Sequence, residues 1–320
     1  MKLFLTKVTF YSFLFLILWI VSVGIIDQYG PSILKRNIIY RRFNGTTYTK
    51  SRLIEAKTVT QVDILVLGSS HAYRGYDPRI MANYGISMFN LGTSAQTPIQ
   101  TKFLVENFLN KINPKVVIFD VFPMTFRIKG LESTLEIIPN MTLDIRLLNL
   151  VLEINELKAY NSFACHVFNN FVGTENLSLG KGISSSEENL YVKGGFVERR
   201  CSYPFNSKII PTKNIEFMET QVMAFQEIIK TLREHKIKTI LVQTPVTLDE
   251  YQSVKNNSEI DEYFSSFKNV SYYNMNKLLR MDEKLDFYDS HHLTQQGVIK
   301  FNEFLVESIL IDNFSVFEQK

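Results

Sequence analysis

The sequence predicts an α/β fold: a five-stranded parallel sheet with helices on both faces, behind one N-terminal membrane helix, with an insertion at the sheet's carboxyl edge. Three observations predict it. Short apolar runs, the pattern of strands buried on both faces, recur at about 62–67, 88–91, 115–121, 239–243 and 270–273. Stretches with helix-start signals separate them, which is the alternation of a doubly wound sheet. Val8–Ile26 carries no charged residue at all.

Composition bounds the function. A chain of 320 residues that is 45% apolar and 21% charged is globular, and has room for one α/β domain with an insertion or for two domains. Its 35 Lys+Arg against 32 Asp+Glu leave a net charge of +3, so nothing marks a nucleic-acid binder. Two cysteines, Cys165 and Cys201, exclude a disulfide framework and a Cys-rich zinc site. They read equally as one disulfide outside the cytoplasm or as two buried thiols.

The N-terminal run, bounded by Lys7 and Asp27, rises roughly 1.5 Å per residue and so just crosses a hydrocarbon core of ~30 Å. A cleaved signal peptide is the competing reading, but the run is longer than a usual signal core and no Ala-x-Ala site follows. An uncleaved anchor over residues 1–28 is therefore expected, then a juxtamembrane linker over 29–60 and an α/β domain over 61–320. Lys2 and Lys7 precede the helix, while Lys35, Arg36, Arg41 and Arg42 follow it. That count would place the body inside the cell. Short N-terminal tails before a single anchor and the indifference of large domains to charge argue for the outside, which is the expectation. The basic cluster then lies near headgroups, against anionic lipid or as a solvated linker.

In the domain, the first strand stops at Gly68 and delivers Ser69, Ser70 and His71 to the carboxyl edge of the sheet, where open α/β sheets bind ligands. Asp77-Pro78 and Thr97-Pro98 open helices, each with a capping side chain and proline at the first helical position. The second strand ends at Gly92 and the third at Phe122-Pro123. Residues 123–212 break the alternation. They hold a predicted helix near Leu143–Tyr160, both cysteines and the turn signal Gly194-Gly195, and read as an insertion forming a lid or substrate platform, or as structure alone. Phe163, Phe168, Phe171 and Tyr191 there could stack on sugars, with core packing as the default. A helix at about 214–235, a strand ending at Thr244-Pro245, a helix near 248–267 and a fifth strand lead to Asp289-Ser290-His291-His292-Leu293. The last helix is capped by Thr294.

Serine is a poor nucleophile until a base takes its proton, and that base must be oriented by a third group. Asp289 and His292, three apart on a turn, can supply base and orienter, and the sheet order brings them to the edge that carries Ser70. A metal site from His71, Asp289 and His292 is set aside, because no ligand-spaced pair of histidines lies on a helix; no cofactor is expected. His291 reads as an exposed neighbour, and His166 and His235 carry no special context.

Gly68-Ser69-Ser70 resembles the Gly-Asp-Ser block of SGNH/GDSL-type hydrolases, Asn90-Leu91-Gly92 their second block, and Asp289-Ser290-His291-His292-Leu293-Thr294 their Asp-x-x-His block. The resemblance covers about Val62–Val121 and Lys238–Ile311, and its last block is the most specific. It implies a flavodoxin-like strand order, Ser70 as nucleophile, His292 as general base, Asp289 as its partner, and an oxyanion hole from the N–H groups of Ser70 and Gly92. Ser69 replaces the family's Asp and is the second candidate nucleophile. The third block, Gly-x-Asn-Asp, is missing; the third strand ends Phe119-Asp120-Val121-Phe122-Pro123. Asn90, His71 and Arg74 are candidates to replace the lost donor, and His71 and Arg74 are also candidate substrate contacts. Gly-Ser-Ser-His behind an anchor is further similar to envelope proteins of the DltD and alginate-acetylation type. That similarity implies an acylated cell-envelope glycan or other polymer as substrate and a membrane-bound acyltransferase as partner. The expectation is a membrane-anchored serine esterase or O-acyltransferase with its domain outside the cytoplasm. The alternative is an inactive accessory protein that holds a glycan or an assembly partner at the membrane.

Overall fold

The computed structural model describes residues 1–39, 48–173, 188–200 and 210–311. After helix α1 (Lys2–Tyr29) and α2 (Thr49–Ala56), the chain alternates. Strand β1 (Ile64–Leu67) leads to α3 (Ser70–Gly75) and α4 (Pro78–Asn83), then β2 (Met88–Asn90), α5 (Pro98–Ile112) and β3 (Val116–Asp120). Helices α6 (Leu131–Ile137), α7 (Ile145–Ile154) and α8 (Leu157–Val172) and the hairpin β4 (Asn189–Val192) and β5 (Phe196–Arg199) follow. The alternation resumes with α9 (Glu219–Glu234), β6 (Lys238–Gln243), α10 (Leu248–Ser253), α11 (Asn257–Ser265), β7 (Val270–Asn274), α12 (Met275–Leu278) and α13 (Gln295–Leu305).

The main sheet has five parallel strands in the order β2-β1-β3-β6-β7, the flavodoxin-like order. Side chains alternate between its faces. Leu65, Leu67, Val117, Phe119 and Leu241 pack on one side with Leu104, Phe108, Phe225 and Phe264 of the helices. Ile64, Val66, Ile118, Ile240 and Val242 pack on the other with Met81, Val298, Phe301 and Leu305. Every residue of β1 and β3 is buried, as a central parallel strand requires.

Three sequence expectations shift. The helix expected near Leu143–Tyr160 is two helices, broken where Asn155 takes a left-handed conformation (φ 48°) that asparagine tolerates. The helix expected near 248–267 is likewise split between Ser253 and Asn257, where Asn256 bonds across to Ile215 instead of continuing the helix. The expected linker contains α2, whose Leu53 and Ala56 are fully buried. Arg52 of α2 is also buried; its Nε donates to Gly195 O at 2.8 Å and its guanidinium lies 4.6 Å over the Tyr73 ring. Residues 48–56 thus pack as part of the body.

Within 123–212, the described residues take two positions. Helices α6–α8 pack beside α5 and against α1, and the β4–β5 hairpin lies against α3 and accepts the Asn90 N–H at Gly194 O, 2.8 Å away. Phe168 and Tyr191 are packing residues: Phe168 fills the space over Gly24, and Tyr191 donates to Glu55 at 2.6 Å and stacks on Tyr48. Phe163 packs at the core's edge, whereas Phe171 is exposed. Cys165 is buried near Val23; Cys201, Arg41 and Arg42 lie outside the described residues.

Candidate active site

Gly68 ends β1 at φ 140°, and a Cβ there would stand 2.9 Å from Asp120, so only glycine lets the chain turn this tightly over β3. Ser69 then caps α3, its Oγ accepting the His71 N–H at 3.4 Å, and is buried by that role. Ser70 opens the helix with its hydroxyl toward the C-terminal loop.

That loop is built from residues 286–294. Phe287 and Leu293 are buried and form an antiparallel bridge, Tyr288 N–H donates to His292 O at 3.1 Å, and Thr294 N–H donates to Asp286 O at 2.9 Å. Inside the closed turn, Asp289 Oδ1 accepts the backbone N–H groups of His291 (2.9 Å) and His292 (2.8 Å). Its Oδ2 accepts His292 Nδ1–H at 2.8 Å, and Ser70 Oγ donates to His292 Nε2 at 2.8 Å. Asn302 of α13 fixes the loop's distance from α3, accepting Asp77 N–H at 3.1 Å and donating to Gly75 O at 2.6 Å. The structure therefore brings Ser70, His292 and Asp289 into one chain of hydrogen bonds, while Ser69 stays outside it.

Electrostatics suit a proton acceptor. Burial pushes the His292 imidazole down to about 4; Asp289 opposes this, while His291 and Arg74 add to it. For Asp289, burial alone would raise the carboxyl, but the bond and charge of His292 and the charge of His291 outweigh it and hold it well below the usual carboxylate range. At neutral pH the pair is thus a neutral imidazole on an ionised carboxylate, the state in which Nε2 can take the Ser70 proton.

Of the expected oxyanion donors, Gly92 and Asn90 are engaged within the fold. Gly92 N–H donates to Asn90 Oδ1 at 2.9 Å, and Asn90 Nδ2 donates to Ala72 O at 2.6 Å. Asn90, fully buried, is a brace between β2 and α3, and it occupies the Gly92 N–H that the sequence block assigns to an oxyanion. The backbone N–H of Ser70, first in α3, remains in place for that task.

His71 is 2% exposed, and among the described residues neither ring nitrogen has a hydrogen-bond partner. An unpaired buried polar group costs on the order of 1–3 kcal/mol. Burial, then His292 and His291, holds its pKa well below the usual histidine value. Its Nδ1 is 4.0 Å from Asp120 Oδ1. Asp120 Oδ2 takes the hydroxyls of Thr244 and, at 3.1 Å, Tyr76; burial pushes this carboxyl up to about 7 against those bonds. Arg74, four residues after Ser70 and so on the same face of α3, donates to Asn189 Oδ1 of the hairpin at 3.1 Å.

Four neighbours were not legible. Phe122, where the missing third block would follow β3, meets the His71 ring edge-on at 3.9 Å and stacks with His291 at 6.0 Å. Tyr288 stacks on His292 at 5.5 Å, with Arg199 of the hairpin 4.9 Å over its ring. His291, expected as a bystander, has its ring 4.1 Å from that of His292. Tyr288 and His291 carried a signal, their places beside Asp289 and His292; Phe122 and Arg199 depend on the tertiary approach of separate segments. His166 and His235 each bond a carbonyl, Met141 O and Thr231 O, both at 2.9 Å.

No family model and no curated protein matches the chain. Solved structures to which the chain is similar include a GDSL-like lipase from Bacteroides thetaiotaomicron VPI-5482, 12% identical with a TM-score of 0.41, the match covering 83% of this chain and 98% of that one. Another is a family 3 carbohydrate esterase from Clostridium thermocellum, 12% identical with a TM-score of 0.38, covering 81% of this chain and 98% of that one.

Proposed function

We propose that this chain is a membrane-anchored serine esterase or O-acyltransferase that works on acyl groups of a cell-envelope polysaccharide through an acyl-enzyme. One observation carries the reading: Ser70 Oγ, His292 and Asp289 are joined by two hydrogen bonds of 2.8 Å at the carboxyl edge of a parallel sheet. Ser70 Oγ attacks the acyl carbonyl as His292 Nε2 takes its proton. Asp289 stabilises the imidazolium, and His292 returns the proton to the departing alkoxide. Water or a sugar hydroxyl then resolves the acyl-enzyme by the same steps in reverse. The Ser70 N–H, at the start of α3, is the donor assigned to the carbonyl oxygen, and the Arg74 guanidinium, one turn on, to the substrate's polar groups. A membrane-bound acyltransferase as donor of the acyl group fits the transfer outcome.

The anchor reading is supported by packing. Trp19, Ile20, Val23 and Ile26 of α1 cover Ala164 and Cys165 of α8, a face that removal of residues 1–28 as a signal peptide would uncover. Lys2–Leu18 is wholly exposed and apolar in character, the part of the 28-residue helix suited to lipid. The extracytoplasmic placement rests on the anchor's position alone.

A second reading, a non-catalytic accessory protein, is favoured by one observation: Gly92 N–H and the Asn90 side chain are already hydrogen-bonded. A fluorophosphonate probe on the full chain in detergent separates the two. Labelling lost in Ser70→Ala and His292→Ala but kept in Ser69→Ala is the expected result. A folded protein that takes no label would move the function to the accessory reading.

A further inference from the structure

Three imidazoles converge beside the nucleophile. His71 from the first turn of α3 and His291 and His292 from the C-terminal loop each offer a ring nitrogen, and these atoms lie within 4.8 Å of one another. Ligand nitrogens in a tetrahedral zinc site with bonds of ~2.0–2.1 Å stand roughly 3.3 Å apart, so small side-chain rotations close the set. The three ring centroids are 4.1 to 5.5 Å apart, already in a cluster.

The surroundings of each ring match those of metal-bound histidines, which as a rule turn one nitrogen to a carboxylate or another polar group and the other to the ion. His292 Nδ1 faces Asp289 at 2.8 Å. His291 Nδ1 faces Ser290 Oγ at 3.0 Å and Asp289 Oδ1 at 3.7 Å. His71 Nδ1 faces Asp120 Oδ1 at 4.0 Å, and that oxygen too is buried without a partner among the described residues. Nε2 thus remains on His291 and on His292, there in competition with the Ser70 hydroxyl, and His71 offers one of its ring nitrogens. The buried His71 is the independent sign: neither of its ring nitrogens makes a hydrogen bond of ordinary geometry among the described residues, so the triad alone gives it no evident task, whereas in a three-ligand set it is the fixed inner member.

We propose that His71, His291 and His292 form a three-imidazole site for a borderline divalent cation, with Zn²⁺ as its type, and that occupation draws His292 Nε2 away from Ser70 and reversibly switches the site off. Imidazole nitrogens select Zn²⁺, Cu²⁺ or Ni²⁺ over the hard cations Mg²⁺ and Ca²⁺. With His292 bound to the ion, Ser70 has no base, so the site is inhibitory and not catalytic. The inhibition rests on the esterase reading; the binding does not.

The test uses the full chain in detergent with ZnCl₂ alone. Calorimetry should show one high-affinity Zn²⁺ per chain, bound several-fold more tightly by Ser70→Ala because the competing hydroxyl is gone, and at least tenfold more weakly by the half-exposed His291→Ala. His71→Gln should weaken it similarly, with circular dichroism checking its fold. Hydrolysis of p-nitrophenyl acetate should be inhibited, restored by EDTA, unaffected by equal Mg²⁺, and should require at least tenfold more Zn²⁺ for half-inhibition in His291→Ala, each variant measured against its own metal-free rate. Zinc bound at this site in a chain that hydrolyses no ester would uphold the site and remove the esterase reading. No binding, or binding indifferent to His291→Ala, would overturn the proposal; so would a rate that Zn²⁺ raises and EDTA abolishes.

Discussion

At the scale of single residues the chemistry is set by burial and by who holds which lone pair. His292 must be neutral to act, and burial has moved its pKa to about 4. The kcat/KM profile should therefore stay level from neutral pH down to about 5 and fall only as pH drops through about 4. An acid limb between 6 and 7 would mean that His292 is solvated when the proposed reaction takes place. Asp289 does two jobs, holding the turn through Oδ1 and the ring through Oδ2. Asparagine can keep the first but not fix the tautomer, so Asp289→Asn should lose roughly 10²–10⁴-fold in kcat with an unchanged melting curve. These residues were legible because their types and spacing state a chemistry. Asn90 and Gly92 were not, since a side chain that bonds the backbone two residues on looks in sequence the same as one aimed at substrate. Neither was the cluster of His71 with His291, which depends on how two loops meet rather than on ligand spacing along a helix.

At the scale of elements, the strands and most helices were readable from apolar runs and caps, because a parallel sheet buried on both faces leaves no other pattern. What escaped were elements stabilised by contacts distant in sequence. Helix α2 looks like a polar linker, with Arg52 in its middle. It folds because that arginine crosses to the hairpin, donating to Gly195 O and lying over Tyr73. The hairpin in turn carries Asn189 and Arg199 to Arg74 and Tyr288 beside the site. Arg52→Ala removes a charged hydrogen bond and a buried stem, and should destabilise the body by about 2–3 kcal/mol in urea titration. It should also weaken the site, as the hairpin loosens from α3. A loss below ~0.5 kcal/mol would show that α2 and the hairpin are held by apolar packing alone.

At the scale of the whole molecule, two effects can be weighed. The first is stability against pH. His71 and His292 are neutral when folded but bind protons below 6.5 when unfolded, so each contributes stability above that pH which is lost as pH falls. Asp120 opposes them: folded, it holds its proton up to about 7, while unfolded it is ionised above its usual 3.8, so it adds stability as pH falls. Below pH 6.5 the two histidines therefore act against the one carboxyl, and the balance of these three groups is a loss of stability as pH falls. Asp120→Asn removes the opposing group and should steepen that loss in urea titrations between pH 6.5 and 5. The second effect concerns α1. A helix of 28 residues is ~42 Å long, more than a ~30 Å hydrocarbon core needs, and its surplus is where Val23, Gly24 and Asp27 are buried against the body. Gln28 donates to Asn169 of α8 at 3.1 Å, and Phe168 occupies the space a side chain at position 24 would take. Helix α1 is in this way a rigid stalk packed on α8 rather than a loose tether. Gly24→Leu should separate stalk from body without shortening the apolar span. In detergent or bilayer discs, amides of α8 should then exchange faster, while those of β1 and β3 keep their protection. Fluorescence of the single tryptophan, Trp19, which packs at that contact, should change with them. Unchanged exchange in α8 would show that its packing does not depend on α1, and that the body is free to tilt relative to that helix.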